Sequence, residues 1–226
     1  MRTNAQLYSC SSEIPQAEIP AGCIFVALQV PRDKVLTLAD LDTHAMLAGC
    51  LARAPREPVV IKLHPRSRDP QFEARVRALH DPAGHVHVLD EPIDALIAAA
   101  RVTVCINSGV GFEAQLRGGA VITCGASDYG ALTWRPTTPA ELAVALQRAE
   151  PPDPDLMRRH ATWLLRDVFV DDTAPGWTDK VLDRLAGHRG RDARHDLDRE
   201  QRLAGTGRPD RQHDAERRLL ERPAAP

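Results

Sequence analysis

At 226 residues the chain has room for one ordinary domain with an appendage, or for two small domains. Its 43% hydrophobic and 27% charged residues are a globular mixture, and a net charge of -2 speaks against nucleic acid or an anionic membrane as partner. Aromatic residues make up only 4%, so a core has to be built from Val, Leu, Ile and Ala.

Residues 1–21 are polar and read as a lead-in. Cys23 to Val30 is a first buried strand. Leu38 to Arg53 carries apolar residues at helical spacing (Leu38, Leu41, Ala45, Leu47, Ala48, Leu51), which predicts one helix. Pro58 to Leu63 is a second strand, stopped by His64-Pro65. Asp69 to His80 reads as a charged amphipathic helix, and His85 to Leu89 as a third strand. Pro92 is expected at the first position of a helix running to Ala100. Arg101 to Ile106 is a fourth strand. A glycine-containing turn then leads to a helix from Gly111 to Arg117. Ala120 to Cys124 is a fifth strand. Thr138-Pro139-Ala140-Glu141 is a capping box that opens a helix to Arg148. A last helix is expected over Asp155 to Asp167.

Strands alternating with helices at this spacing predict βαβ units, and continuous apolar strands predict a parallel sheet covered on both faces. The expected class is α/β, with one domain over residues 22–186. From Gly187 the chain turns to mixed charge with few apolar residues, so residues 187–226 are expected to be a disordered tail. The cysteines Cys10, Cys23, Cys50, Cys105 and Cys124 are odd in number and fall at no metal-ligand spacing. Buried, reduced thiols of a cytoplasmic protein are expected. No basic-then-apolar leader opens the chain, and no apolar run reaches the ~18–20 residues of a membrane span. The expectation is a soluble protein without a transmembrane segment, at most peripheral at the inner membrane.

In open parallel sheets, ligands bind beyond the carboxyl ends of the strands. Four segments fall there. Lys62-Leu63-His64-Pro65 follows the second strand. Its imidazole can donate to a phosphate, or it can merely satisfy turn carbonyls. Asn107-Ser108-Gly109-Val110-Gly111-Phe112-Glu113-Ala114 follows the fourth strand. Its glycines allow close backbone approach, its helix start presents N–H groups, and Ser108 can bond a phosphate oxygen. Glu113 would repel a phosphate and suits a neutral diol such as a ribose. The alternative is an ordinary helix capped by Asn107 or Ser108. Gln29-Val30-Pro31-Arg32-Asp33 follows the first strand and can equally be a turn with an Asx cap. Gly125-Ala126-Ser127-Asp128-Tyr129-Gly130-Ala131-Leu132-Thr133 follows the fifth, and can equally be a surface loop with a packed Tyr.

In this order and spacing, Gln-x-x-x-Asp, Lys-x-His-Pro, Asn-Ser-x-x-Gly-Phe-Glu-Ala and Gly-x-x-x-Tyr-Gly-x-Leu-Thr resemble the capsule polysaccharide biosynthesis family, which includes β-Kdo transferases. The resemblance covers about Ile24 to Val170. The His-Pro and Ser-containing motifs are shared in outline with bacterial sialyl- and polysialyltransferases, which also use CMP-sugars. The resemblance implies a GT-B architecture, two Rossmann-like domains facing across a cleft, with this chain as the carboxyl-terminal, donor-binding half. It implies that His64 and Ser108 hold the CMP phosphate of a CMP-sugar such as CMP-Kdo. Lys62, Pro65, Asn107, Gly109, Gly111 and Glu113 would complete the nucleotide site, and Gln29, Asp33 and Tyr129 are candidate donor-sugar contacts. None of the four motifs carries an Asp-x-Asp pair, so neither metal nor other cofactor is expected. The amino-terminal half of a GT-B enzyme normally carries the acceptor site and the catalytic base, and only about twenty residues precede the first strand here. A lipid-linked glycan acceptor is therefore expected to be held by a missing domain or a partner chain. The alternatives are a noncatalytic module that docks on a complete capsule transferase, or another nucleotide-sugar enzyme such as an epimerase.

If residues 187–226 are a solvated tail, truncation after Ala186 leaves the melting temperature nearly unchanged. A thermal melt of the two lengths checks this.

Overall fold

The computed structural model describes residues 18–190. It divides into two compact units, with the boundary between Asp167 and Val168. The first is built on five parallel strands: β1 (Cys23–Ala27), β2 (Val59–Lys62), β3 (Val86–Val88), β4 (Ala100–Cys105) and β5 (Ala120–Thr123). Their order is β3-β2-β1-β4-β5. This is the Rossmann-like order, and it makes a single α/β domain of the first unit.

The strands form because short runs of Val, Ile and other apolar residues pack well on a pleated surface covered on both sides. One set of alternate residues (Ile24, Val26, Val59, Ile61, Val102, Val104, Ile122) joins a core cluster with Met46, Cys50, Val76, Leu142 and Leu146. Those partners come from helices α1 (Thr43–Leu51), α2 (Pro70–Arg77) and α5 (Pro139–Arg148). The opposite face is covered by α3 (Ile93–Ala99), which lies against β1 and β4, and α4 (Gly109–Leu116), which lies against β4 and β5. Helix α6 (Pro154–Trp163) packs on α4. Phe25, Val60, Thr103 and Thr123 are buried on that side.

Local chemistry fixes the helix starts. Asp42, Asp69 and Asp153 each accept an N–H three residues on, and Pro70, Pro139 and Pro154 fill the first helical turn. Thr138 caps α5 through the Glu141 N–H (3.2 Å), and the Glu141 carboxylate reaches back over the helix start, most strongly to the Thr137 N–H (2.7 Å). Pro92 stands at the cap of α3, outside its first helical position, with extended backbone.

The expected helix over Leu38–Arg53 is shorter. Lys34–Leu38 is a 3₁₀ turn capped by Asp33, and α1 begins only at Thr43. The intervening backbone is drawn into the sheet's edge. Ala39 bridges Gly125, and the Asp40 and Leu41 N–H groups both donate to the Cys124 carbonyl. Leu38 is accordingly 54% exposed. The last expected helix is α6 followed by a π-helical turn, Leu164–Val168.

Both edge strands are partly covered by their own neighbours. The outward N–H and carbonyl of Val86 bond Asp81, and the Val88 N–H donates to His80 Nδ1. On β5, the Val121 carbonyl and the Thr123 N–H are taken by the Trp134 backbone. The second unit holds α7 (Trp177–Gly190), so the boundary expected at 186/187 falls inside a helix. Arg184, Leu185 and Arg189 are good helix formers, and Gly187 alone does not stop it. Residues 191–226, and with them most of the expected tail, lie outside the described residues, as do Cys10 and residues 1–17.

Gly125 has no room for a side chain. A Cβ there would stand 2.7 Å from the Leu38 carbonyl oxygen and 2.9 Å from Ala39 Cα. Gly125→Ala is expected to destabilise the domain by roughly 1–3 kcal/mol, as overpacking does. A urea denaturation series checks it.

Candidate functional site

β1 and β4 are neighbours, yet the chain leaves them in opposite directions, toward β2 and toward β5. Their diverging carboxyl ends open a crevice of about 600 Å³. Its floor is Ala27 and Leu28. One wall is Lys62 to Pro65, the other Ser108 to Val110 with Glu113, and Pro92 to Asp94 close the end. Lys62, His64, Pro65, Ser108, Gly109 and Glu113 are thus brought together at one site. Gln29, Asp33, Asn107, Gly111 and Tyr129 do not line it.

His64 is held by the turn that Pro65 makes. Its Nδ1 accepts the Arg66 N–H at 3.0 Å, so Nε2 carries the proton of the neutral ring and is its donor. Burial and the Arg66 charge lower its pKa below the ordinary imidazole value, and Asp33 opposes them. A neutral donor is therefore the resting state at pH 7. Across the crevice, Ser108 caps α4: its Oγ accepts the Val110 N–H at 3.3 Å, which leaves its own hydroxyl proton to donate elsewhere. This settles the cap as Ser108 and starts the helix at Gly109, two residues before the expected Gly111. In the first turn of that helix the Val110 and Gly111 N–H groups bond Ser108 itself, at its Oγ and its carbonyl, and Gly109 supplies the backbone that faces the crevice. Lys62 Nζ donates to the Glu91 carbonyl at 2.8 Å, which fixes the ammonium at the crevice end.

The two glycines have different jobs. Nothing lies within 4 Å of a Cβ placed on Gly109, so the open space there is the crevice itself. A Cβ on Gly111 would collide with the Tyr129 ring and hydroxyl. Tyr129 is only 4% exposed. Its hydroxyl donates to the Ser108 carbonyl and lies 3.5 Å from Cys105 Sγ. Burial pushes its pKa far above the usual phenol range. The ring therefore props the start of α4 from beneath and does not line the crevice. Only Gly fits where α4 crosses it.

Gln29 and Asn107 bond each other. Gln29 Nε2 donates to Asn107 Oδ1 (2.8 Å), and the Asn107 N–H donates to Gln29 Oε1 (3.1 Å). Asn107 Nδ2 donates to the Val35 carbonyl (2.7 Å). Asp33 accepts the Val35 N–H within its own turn. Sequence reasoning missed Asp94, which lines the crevice end and pairs with Arg117 (2.7 Å). It also missed the apolar floor, for which strand-end residues give no distinguishing signal.

Two Asp-x-Asp triplets lie among the described residues, away from the crevice. Asp42 and Asp153 cap helices, and Asp40 and Asp155 pair with Arg135 and Arg158. Among the described residues no group of three His, Cys, Asp or Glu side chains is placed to hold a metal. Cys23, Cys50, Cys105 and Cys124 are free and buried, with their pKa values raised by burial, to about 12 for Cys50. They are packing groups, not nucleophiles. No helix among the described residues is long and apolar enough to cross a membrane.

Two predictions follow from this geometry. Gly111→Ala is expected to lower the melting temperature, and Gly109→Ala to leave it unchanged or slightly raised; paired thermal melts compare them. His64 and His87 both have lowered pKa values. Above the ordinary imidazole value, folded and unfolded chains hold these rings neutral alike. Below it the unfolded chain takes up protons that the folded one resists, so stability falls as pH drops below about 6.5. Denaturation midpoints across pH 5–8 are expected to show that slope, reduced in His64→Gln.

A family model described as capsule polysaccharide biosynthesis protein matches residues 14–170. Protein FixF of Sinorhizobium fredii is 32% identical over 172 residues, which are 72% of this chain and 42% of FixF. The chain thus spans less than half the length of this relative. Among solved structures, the β-Kdo 2,4 transferase of Thermosulfurimonas dismutans KpsC overlaps with a TM-score of 0.40 at 20% identity, over 65% of this chain and 55% of that one. The UDP-GlcNAc 2-epimerase of Neisseria meningitidis overlaps with a TM-score of 0.42 at 12% identity, over 76% and 45%. With the family model matching most of the chain and the motifs gathered at one sheet edge, the chain belongs to the capsule polysaccharide biosynthesis protein family.

Proposed function

We propose that this domain is the donor-binding half of a GT-B capsule polysaccharide glycosyltransferase, and that its crevice takes a CMP-linked sugar, CMP-Kdo being the first to test. The observation that carries the reading is the pair of donors on facing walls, neutral His64 and the Ser108 hydroxyl at the start of α4. When the bond between the sugar and the phosphate breaks, its electron pair goes to the phosphate oxygen. Fixed donors that meet that growing charge stabilise the departing CMP. Gly109 lets the phosphate approach the α4 backbone. Glu113, exposed one turn further on, is suited to accept from the ribose hydroxyls. None of these residues supplies the base that takes the acceptor's proton. The reading assigns that base, and the site for a lipid-linked glycan, to another domain or a partner chain.

Calorimetry with CMP, UDP and GDP is expected to show CMP binding tightest, with no change on adding chelator. Tighter UDP binding, or loss in chelator, would overturn the CMP assignment. His64→Ala and Ser108→Ala each remove a charge-assisted hydrogen bond, so CMP affinity is expected to fall about 10- to 150-fold for each. Cytidine, without the phosphate, is expected to bind both variants as it binds the wild type. Equal losses for cytidine and CMP would remove the phosphate role.

A further inference from the structure

We infer that Gln29 is a positioning residue, which sets the phosphate-facing start of α4 through Asn107 without touching the ligand. The inference rests on the donor-binding reading above. Gln29 lies two residues past β1 and Asn107 two residues past β4. The backbone ladder between these strands ends at the pair Val26 and Val104. Beyond it the two chains part, one toward the 3₁₀ turn Lys34–Leu38 and one toward α4. Without a further tie, the segment just before Ser108 would be held on one side only.

The Gln29 side chain supplies that tie. Its Oε1 accepts the Asn107 N–H, the bond a backbone carbonyl would make if β1 continued. Its Nε2 holds Asn107 Oδ1, and this leaves Asn107 Nδ2 aimed at the Val35 carbonyl. The orientation of the Asn107 amide is thereby fixed from both ends. Ser108 is the next residue, and its carbonyl is held from beneath by Tyr129. Ser108 thus sits between Asn107, whose N–H and side chain Gln29 holds, and its own carbonyl, which Tyr129 holds. Both polar atoms of Gln29 are engaged in this pair, and Gln29 is absent from the crevice lining. The pair is a clasp between two loops, and its place outside the lining separates it from a direct ligand contact. Because both partners are neutral amides, the clasp neither titrates nor competes for a phosphate.

The test uses Gln29→Met, which keeps the volume and removes both hydrogen bonds, with Gln29→Ala beside it. CMP affinity is expected to fall about 3- to 15-fold in Gln29→Met, the loss of one or two neutral hydrogen bonds. Cytidine affinity is expected to stay within about 2-fold. In the Gln29→Met background, Ser108→Ala is expected to cost much less than in the wild type, because the two residues act on one contact. Amide exchange at Ser108 to Gly111 is expected to quicken in Gln29→Met at an unchanged melting temperature. Wild-type CMP affinity in Gln29→Met would overturn the inference, since a packing role alone is rescued by Met. Equal losses for CMP and cytidine would overturn it in favour of ligand contact or general support. Fully additive losses with Ser108→Ala would sink it as well. A wild-type chain that binds neither CMP nor cytidine would remove the donor-binding reading and the phosphate role of Gln29 with it. Unchanged exchange in Gln29→Met would remove the clasp alone, whatever the wild type binds.

Discussion

The fold depends on β1 being hydrogen-bonded along both edges, to β2 on one side and β4 on the other, while helices cover both its faces. Every residue from Cys23 to Leu28 is buried. A strand in that position can be read only as an unbroken apolar run, and it has no solvent face on which to place a functional group. Function is forced out to its carboxyl end. There β1 and β4 stop pairing and their chains separate, so a gap opens that the helices do not fill. The crevice is thus a by-product of connectivity, and the residues that end the strands inherit its chemistry.

The crevice sets neutral donors beside three charged side chains, Lys62, Asp94 and Glu113. His64 is kept neutral by burial and by Arg66, and the Ser108 hydroxyl carries no charge. The ammonium of Lys62 is tied to a backbone carbonyl, and Asp94 pairs with Arg117. Fixed donors of this kind need little reorganisation when negative charge develops beside them. The accuracy of the site rests on the layer behind it: Tyr129 under the Ser108 carbonyl, Gly111 leaving room for that ring, and the amide pair of Gln29 and Asn107.

The strands, and the segments that follow them, were legible because β-branched runs bounded by His-Pro, glycine or proline leave few alternatives. The helix cap at Thr138 was legible for the same local reason. The Leu38–Leu41 stretch was not, because its apolar spacing continues the helical pattern while its backbone is claimed by Cys124 and Gly125, far along the chain. Around the crevice, His64, Ser108 and Glu113 were singled out by their place after strands together with the motif resemblance, and all three line it. Gln29, Asn107 and Tyr129 were recognised as motif members, but their partners were not. The Gln29–Asn107 pair joins residues 78 apart, and nothing local in either segment marks the other as its partner. The burial of Tyr129 depends on a missing side chain at Gly111, which sequence reading assigns more readily to ligand approach.

The closure of the outer strands carries a consequence for solution behaviour. Exposed strand edges are templates on which another chain can extend a sheet, and this is a common route to aggregation. Here β3 is three residues long; its Val86 groups are taken by Asp81 and its Val88 N–H by His80, while the Val121 carbonyl and the Thr123 N–H of β5 are taken by Trp134. Much of each outer edge is thus occupied by the chain itself, which disfavours association by strand addition and leaves side-chain surfaces as the easier route for a partner.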